Sequence, residues 1–280
     1  MKKVILDVDT GSDDAIAIMM AVLSGKLDIL GITVTWGNRP VEDCVENTLK
    51  VLELLGKRIP VYRGCPQAMV RYLTRQRNAA LDKDGISITL DAEECTVHPS
   101  SFPLPEPRGK EQDEHAWSFL GDTVKESKEK ITLISVGPLT NLGMALRMCP
   151  EMKDHIEKIV IMGGGVHKGN ITPCAEANFY HDPEAAKIVL ESGIPCDVIP
   201  LNATHSAEIS LDDAAELEAT GKAAAVFAAS LIRQRIDALE KMKAGNGYSD
   251  AIHDALAVAS LLDDKVIEMW ETKAFDIDIN

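Results

Sequence analysis

Ile5-Leu6-Asp7-Val8-Asp9-Thr10-Gly11-Ser12-Asp13-Asp14-Ala15 is the stretch whose reading decides the fold. The apolar residues from Val4 to Leu6 read as a buried strand. Gly11 permits a sharp turn, and Ser12 can cap the helix that follows over Ala15, Ile16, Ile18, Met19 and Val22 to a stop at Gly25. Asp7, Asp9, Asp13 and Asp14 therefore crowd the point where a strand ends and a helix begins. In open α/β sheets that edge is where ligands bind. Asp13 and Asp14 in a first helical turn suit the helix dipole, which accounts for two carboxylates but not for Asp7 and Asp9. Like charges packed this closely repel unless a proton or cation lies between them, and hard oxygen ligands favour Ca²⁺ or Mg²⁺.

Outward from this stretch the strand–helix rhythm repeats. Ile29 to Val34 is a second apolar, β-branched run, ending in Thr35-Trp36-Gly37-Asn38. Pro40 opens a helix closed by Gly56, and Pro60-Val61-Tyr62 predicts a third strand. Residues 64–112 lose the rhythm, with Gly, Pro, charge and only short apolar runs such as Ile86-Ser87-Ile88, and read as an irregular excursion, a lid or hairpin. Helix resumes over residues 115–124. Ile131 to Val136 and Ile159 to Met162 are buried strands, the second running into Gly163-Gly164-Gly165. These glycines lack the Lys-Ser/Thr of a phosphate loop and imply close backbone approach to a ligand or neighbour. Asp182-Pro183-Glu184 starts another helix, and Asp197 to Leu201 reads as a strand. Residues 210–241 read as helical with a break near Gly221, Asn246-Gly247 as a turn, Ala251 to Leu262 as a helix, and Ala274 to Ile279 as a strand. The alternation implies one domain over residues 1–280: an α/β fold with an open, mostly parallel, doubly wound (Rossmann-like) sheet and helices on both faces.

Composition narrows the function. The 280 residues, 45% of them hydrophobic, suit a single large core. A net charge of −15 without a basic stripe argues against nucleic acid and anionic membranes as partners. No apolar run is long enough to span a bilayer, and Met1-Lys2-Lys3 enters a strand at once, unlike a signal peptide. The cysteines form no C-x-x-C pair, so buried free thiols in a reducing cytoplasm are expected.

Polar residues suited to a sugar or a metal follow successive strands: Asp7, Asp9 and Asp14, then Asn38, then Asn170, Glu176 and Asn178. All would lie on one edge of the sheet, and amides and carboxylates are natural partners for vicinal hydroxyls. Singly, each has a plainer explanation as a turn or surface residue, and an isolated His253 is more often a packing histidine. In this conjunction and order the chain resembles the inosine-uridine-preferring nucleoside hydrolase family over nearly its whole length. Asp7-Val8-Asp9-Thr10-Gly11-Ser12-Asp13-Asp14-Ala15 resembles that family's D-x-D-P-G-x-D-D-A motif. Trp36-Gly37-Asn38, Gly137-Pro138-Leu139-Thr140-Asn141, the trio Asn170, Glu176 and Asn178, and His253-Asp254-Ala255 match its later motifs. The resemblance implies hydrolysis of ribonucleosides to ribose and free base, with Ca²⁺ held by Asp9, Asp14, Asp254 and the Val136 carbonyl. It implies Asp9 as the base, His253 as the acid for the leaving group, and Asp13, Asn38, Asn170, Glu176 and Asn178 as substrate-binding residues. It also implies a cytoplasmic homo-oligomer, dimer or tetramer, working in nucleoside catabolism and salvage.

The chain departs from the family pattern in places. Thr10 stands where the motif has proline, and Leu81 stands where pyrimidine-preferring members often carry a histidine. The helix over residues 222–241 offers Phe227, Arg233 and Arg235 where others supply aromatics near the base. Members usually run on past the position of Asn280 with a final hairpin. Two other readings remain at this stage. Asp7-x-Asp9-Thr10 also resembles haloacid-dehalogenase-type phosphatases, though the order Thr10-Gly11 is reversed. A non-catalytic Ca²⁺- and ribose-binding protein would use the same residues without turnover.

Overall fold

The computed structural model describes residues 1–70, 73, 91–92, 95–242, 244–274 and 276–279. In chain order the elements are β1 (Lys2–Val8), α1 (Ser12–Leu23), β2 (Leu27–Val34), α2 (Val41–Leu54), β3 (Val61–Arg63), β4 (Asp91–Ala92) and β5 (Cys95–Thr96). Then follow α3 (Ala116–Glu126), β6 (Ile131–Ser135), α4 (Thr140–Met148), a 3₁₀ turn (Pro150–His155), β7 (Ile156–Met162), α5 (Ala177–His181), α6 (Pro183–Leu190) and β8 (Cys196–Ile199). The last are α7 (Leu201–Thr204), β9 (Glu208–Ser210), α8 (Leu211–Ala219), α9 (Ala223–Lys241), β10 (Ser249–Ala251) and α10 (His253–Leu262).

Among the described residues, six strands form one parallel sheet in the order β3-β2-β1-β6-β7-β8. The period of two along each strand divides two cores. Val4, Leu6 and Val8 face one core with Ile134, Val160 and Met162, covered by α1, α2, α9 and α10. Ile5 faces the other with Leu133, Ile159 and Ile161, covered by α3, α4 and α6. Both faces are apolar, so the strands read as continuous hydrophobic runs, as expected of a doubly wound sheet. The order reverses between β1 and β6, and a ligand crevice opens at such a switch point beyond the carboxyl ends of the strands.

Several expectations change in detail. The helix after β1 is capped by Gly11, not Ser12: the Asp14 carboxylate accepts from the Gly11 amide at 2.9 Å. Ser12 Oγ instead donates to the Val97 carbonyl. Leu201 begins α7 instead of ending β8, and Ala251 pairs in β10 before α10 starts. The described residues between 263 and 279 contain no strand, so the expected strand over Ala274 to Ile279 does not form there. The triple glycine does serve a neighbour: Phe179 lies so close to Gly163 that a side chain there would collide with its ring. Cys44 is buried, as expected, but Cys174 is exposed; both are free thiols. Among the described residues no helix is long and apolar enough to cross a membrane.

Leu81 and Ile86-Ser87-Ile88 lie outside the described residues. The described part of the excursion holds the short antiparallel pair of β4 and β5 and then segment 97–102. Side chains pin that segment to the domain. Ser12 bonds the Val97 carbonyl, Arg39 Nε the His98 carbonyl at 2.6 Å, and Asn47 the Pro99 carbonyl at 3.2 Å.

Candidate active site

A cavity of about 500 Å³ opens at the switch point. Asp13, Asn38, Val136, Asn170, Glu176, Asn178, His253 and Asp254 line it, so most of the residues singled out in the sequence converge there. Asp9 and Asp14 lie beneath them, fully buried.

The floor is acidic. Asp13, Asp14 and Asp254 each bring a carboxylate oxygen within 4.8 Å of the others. The sequence reading paired Asp9 with Asp14 and Asp254; the structure adds Asp13 to this cluster and sets Asp9 alongside. Asp9 Oδ2 accepts the Asn38 amide proton at 2.7 Å, while Asp9 Oδ1 is buried with no hydrogen-bond partner. Its carboxylate lies against Gly37 and Gly137, where any Cβ would collide with it. Asp14 accepts from the Asp9 and Gly11 amides at 3.1 and 2.9 Å and from Asn38 Nδ2 at 3.0 Å. Asn38, expected only on the ribose, thus also fixes both carboxylates. Burial and then the charge of Asp14 hold the Asp9 carboxyl well above the usual range. Burial and Asp13 push Asp14 up to about 6. Burial, then Asp13, Asp14 and Asp9, does the same to Asp254, well above its ordinary value. Burial works against charge on Asp13 too, yet the Arg235 guanidinium 3.3 Å away holds it below the usual range. The converging carboxylates of Asp13, Asp14 and Asp254, with the donorless Asp9 Oδ1 nearby and like charges crowded together, fit a hard divalent cation.

The wall opposite is built from amides. Asn178 Nδ2 donates to the Val136 carbonyl at 2.7 Å and the Met162 carbonyl at 3.1 Å, so its Oδ1 is the atom available as an acceptor. The Val136 carbonyl keeps a second lone pair. Glu176 caps α5, accepting from the amides of Gly164, Asn178 and Phe179 at 2.9, 2.8 and 3.2 Å. Burial still pushes it up to about 7. Asn170 Oδ1 accepts from the Ala177 amide at 2.8 Å, which leaves its NH₂ for a ligand.

Among the further residues that line the cavity are His98, His205 and Asp250, which sequence reasoning did not place there, and Arg235, which it named only on the helix near the base. Arg235 is buried in α9, bonds Asp250 Oδ2 at 2.8 Å and Ser12 Oγ at 3.0 Å, and faces Asp13. Its spacing from Leu231, Ile232 and Ile236 on the buried face of a helix was the sequence cue. His98 Nδ1 accepts from the Ser12 amide at 3.2 Å, and burial pushes its pKa down to about 4, so the ring is neutral. No local pattern announces His98, because it reaches the site from an irregular segment. His253 Nδ1 lies 2.7 Å from Thr204 Oγ1, and its ring meets that of His205 edge-on. Burial pushes His253 down to about 4. Asp7, grouped with the site in the sequence, does not line the cavity.

Residues 4–280 match the family described as inosine-uridine preferring nucleoside hydrolase. The chain is 36% identical over 271 residues to the pyrimidine-specific ribonucleoside hydrolase RihA of Escherichia coli O1:K1 / APEC, covering 95% of this chain and 82% of that protein. Its fold superposes on a purine-preferring ribonucleoside hydrolase from Gardnerella vaginalis with a TM-score of 0.79 and 34% identity, over 94% of this chain and 81% of that one. A plant nucleoside hydrolase, PpNRh1, gives a TM-score of 0.80 at 28% identity, over 94% and 79% of the two chains. These likenesses set aside the phosphatase reading. With the family's motifs gathered at one cavity, the chain belongs to the inosine-uridine preferring nucleoside hydrolase family and is a ribonucleoside hydrolase, an N-glycosyl hydrolase.

Proposed function

We propose that the enzyme is Ca²⁺-dependent, with Asp9, Asp14, Asp254 and the Val136 carbonyl as ligands and Asp13 beside them. The observation that carries this reading is the buried Asp9 Oδ1, which has no hydrogen-bond partner, beside the converging carboxylates of Asp13, Asp14 and Asp254 on the floor of the cavity. Ca²⁺ bound there would supply the positive charge that offsets the carboxylates, orients ribose hydroxyls and makes water more acidic.

This chain's own residues do the rest. Asp9, whose burial raises its proton affinity, takes a proton from the attacking water. Asp13, Asn38, Asn170, Glu176 and Asn178 grip the ribose hydroxyls, each of which both donates and accepts. The surrounding carboxylates favour the positive charge that builds on the ribose ring as the N-glycosidic bond breaks. The base departs toward the side of the cavity that carries His253, which delivers the proton it needs. The family resemblance supports a cytoplasmic dimer or tetramer, which sedimentation analysis tests.

Calorimetry should find one Ca²⁺ per chain in the wild type and none in an Asp9→Ala/Asp14→Ala double variant. Reducing-sugar release should be seen with ribonucleosides and stop when Ca²⁺ is chelated. Full turnover with a chelator present would overturn the metal assignment, and sugar binding without release would point to the non-catalytic reading.

A further inference from the structure

Thr204 ends α7 buried beneath the cavity wall, and its hydroxyl oxygen has two neighbours. His253 Nδ1 lies at 2.7 Å and the Leu201 carbonyl oxygen at 3.2 Å. A hydroxyl has one proton to give and can also accept, whereas a carbonyl only accepts. Both contacts are hydrogen bonds only if the hydroxyl donates to Leu201 and accepts from an Nδ1–H. If the hydroxyl instead donates to Nδ1, the contact with Leu201 ceases to be a bond, and the cluster holds one bond fewer. The His205 ring stands edge-on to that of His253, with centroids 5.3 Å apart and planes at 88°, so the ring plane is held as well.

We infer that Thr204 is a positioning residue that holds His253 in its Nδ1–H form and turns Nε2 toward the substrate as a lone-pair acceptor. The hydrogen bond made at one ring nitrogen decides which proton the other carries. The inference rests on the reading of this cavity as the nucleoside site. Its consequence is directional. In the resting enzyme Nε2 accepts an N–H or O–H of the bound ribonucleoside. Proton delivery also runs through Nε2 alone: it takes a proton from solvent, gives it to the departing base nitrogen, and returns to the same Nδ1–H form. The proton on Nδ1 stays on the ring, donated to Thr204 Oγ1 throughout, and the proton lost by the attacking water to Asp9 returns to solvent, so the count closes.

The test is ¹⁵N NMR of the Ca²⁺-supplied protein labelled at the imidazole nitrogens of its 7 histidines, with His253 assigned by its loss in His253→Gln. The wild type should show a protonated Nδ1 and an unprotonated Nε2 at His253. Thr204→Val, which keeps the shape and removes the hydroxyl, should shift the ring toward the Nε2–H form, and Thr204→Ser should restore Nδ1–H. On inosine, kcat should fall about 10-fold or more in Thr204→Val and recover in Thr204→Ser. A wild-type spectrum with Nε2 protonated, or a Thr204→Val spectrum unchanged from wild type, overturns the inference. The wild-type spectrum decides the tautomer even if Thr204→Val fails to fold. Because it needs no turnover, a failure of the nucleoside reading itself would be visible separately, as wild-type protein that releases no ribose.

Discussion

Asp7 and Asp9 leave the same strand two residues apart and end in opposite circumstances. Asp7 Oδ1 accepts from Thr33 Oγ1 at 2.6 Å and Asn141 Nδ2 at 2.8 Å, and its Oδ2 accepts from Ser135 Oγ at 3.0 Å. It ties β1 to both neighbouring strands and to α4. Burial pushes it up to about 6 while these three donors pull the other way. Asp9 is equally buried, but one of its oxygens has no donor and its nearest charges are other carboxylates. A buried carboxylate with its donors in place serves the fold. One kept short of donors beside like charges is a cost the fold does not repay, and points to a ligand.

The same substitution at the two positions breaks or sharpens this contrast. Asp9→Asn should abolish hydrolysis of every nucleoside, a loss of about 10⁴-fold or more, because the amide cannot take the water's proton. Ribose release within tenfold of wild type would remove Asp9 from that role. Next in size is the sugar itself. A site whose amides and carboxylates are built for hydroxyls should turn over 2′-deoxyinosine up to about 10⁴-fold more slowly than inosine, and equal rates would refute the ribose grip. His253→Ala should lose about 10²–10⁴-fold on natural nucleosides yet be nearly unimpaired on p-nitrophenyl riboside, whose leaving group needs no proton. An equal loss on both would make His253 a packing residue beside Asp254.

Smaller still is the effect of pH on the Ca²⁺-free fold. Asp7 and Asp14 are raised to about 6 and Glu176 to about 7, so the folded chain binds protons more tightly than the unfolded chain. Its stability should therefore rise as pH falls from about 7.5 to 5, by a net amount on the order of 1 kcal/mol. His98 and His253, lowered to about 4, act in the opposite sense below the ordinary histidine range but are outnumbered. Saturating Ca²⁺ should flatten the trend, and a melting temperature that climbs with pH in chelator would contradict it. Least affected should be Asp7→Asn. An amide oxygen can still accept from Thr33 and Asn141, and the Ser135 hydroxyl can turn to accept from the new NH₂. Stability should change by about 1 kcal/mol or less, with Ca²⁺ affinity unchanged in calorimetry. A lost Ca²⁺ site in Asp7→Asn would erase the distinction between the two aspartates.

Much of this was legible in one dimension. Alternating faces, Gly and Pro punctuation and the recurrence of polar residues after apolar runs are local properties, and they located the sheet, its helices and most residues of the cavity edge. Asp7, Asp9 and Asp14, Asn38 and the Asn170, Glu176 and Asn178 trio could be assigned to one edge because parallel strands all end on the same side, although Asp7 turned out not to line the cavity. Hydrogen-bond allocation was not legible. That Asn141 serves Asp7 across 134 positions, that Asn38 spends its donors on Asp9 and Asp14, and that Ser12 caps nothing are outcomes of packing. So are the arrivals of His98 from the excursion and Arg235 from α9 beside Asp13, which no spacing rule connects. The sequence by itself determined which residues could bear charge at the sheet's edge, because strand direction and helix start are set by neighbours in the chain. Only the tertiary structure decided which carboxylates are satisfied and which are left for a ligand, because the donors that settle it come from segments far apart in sequence.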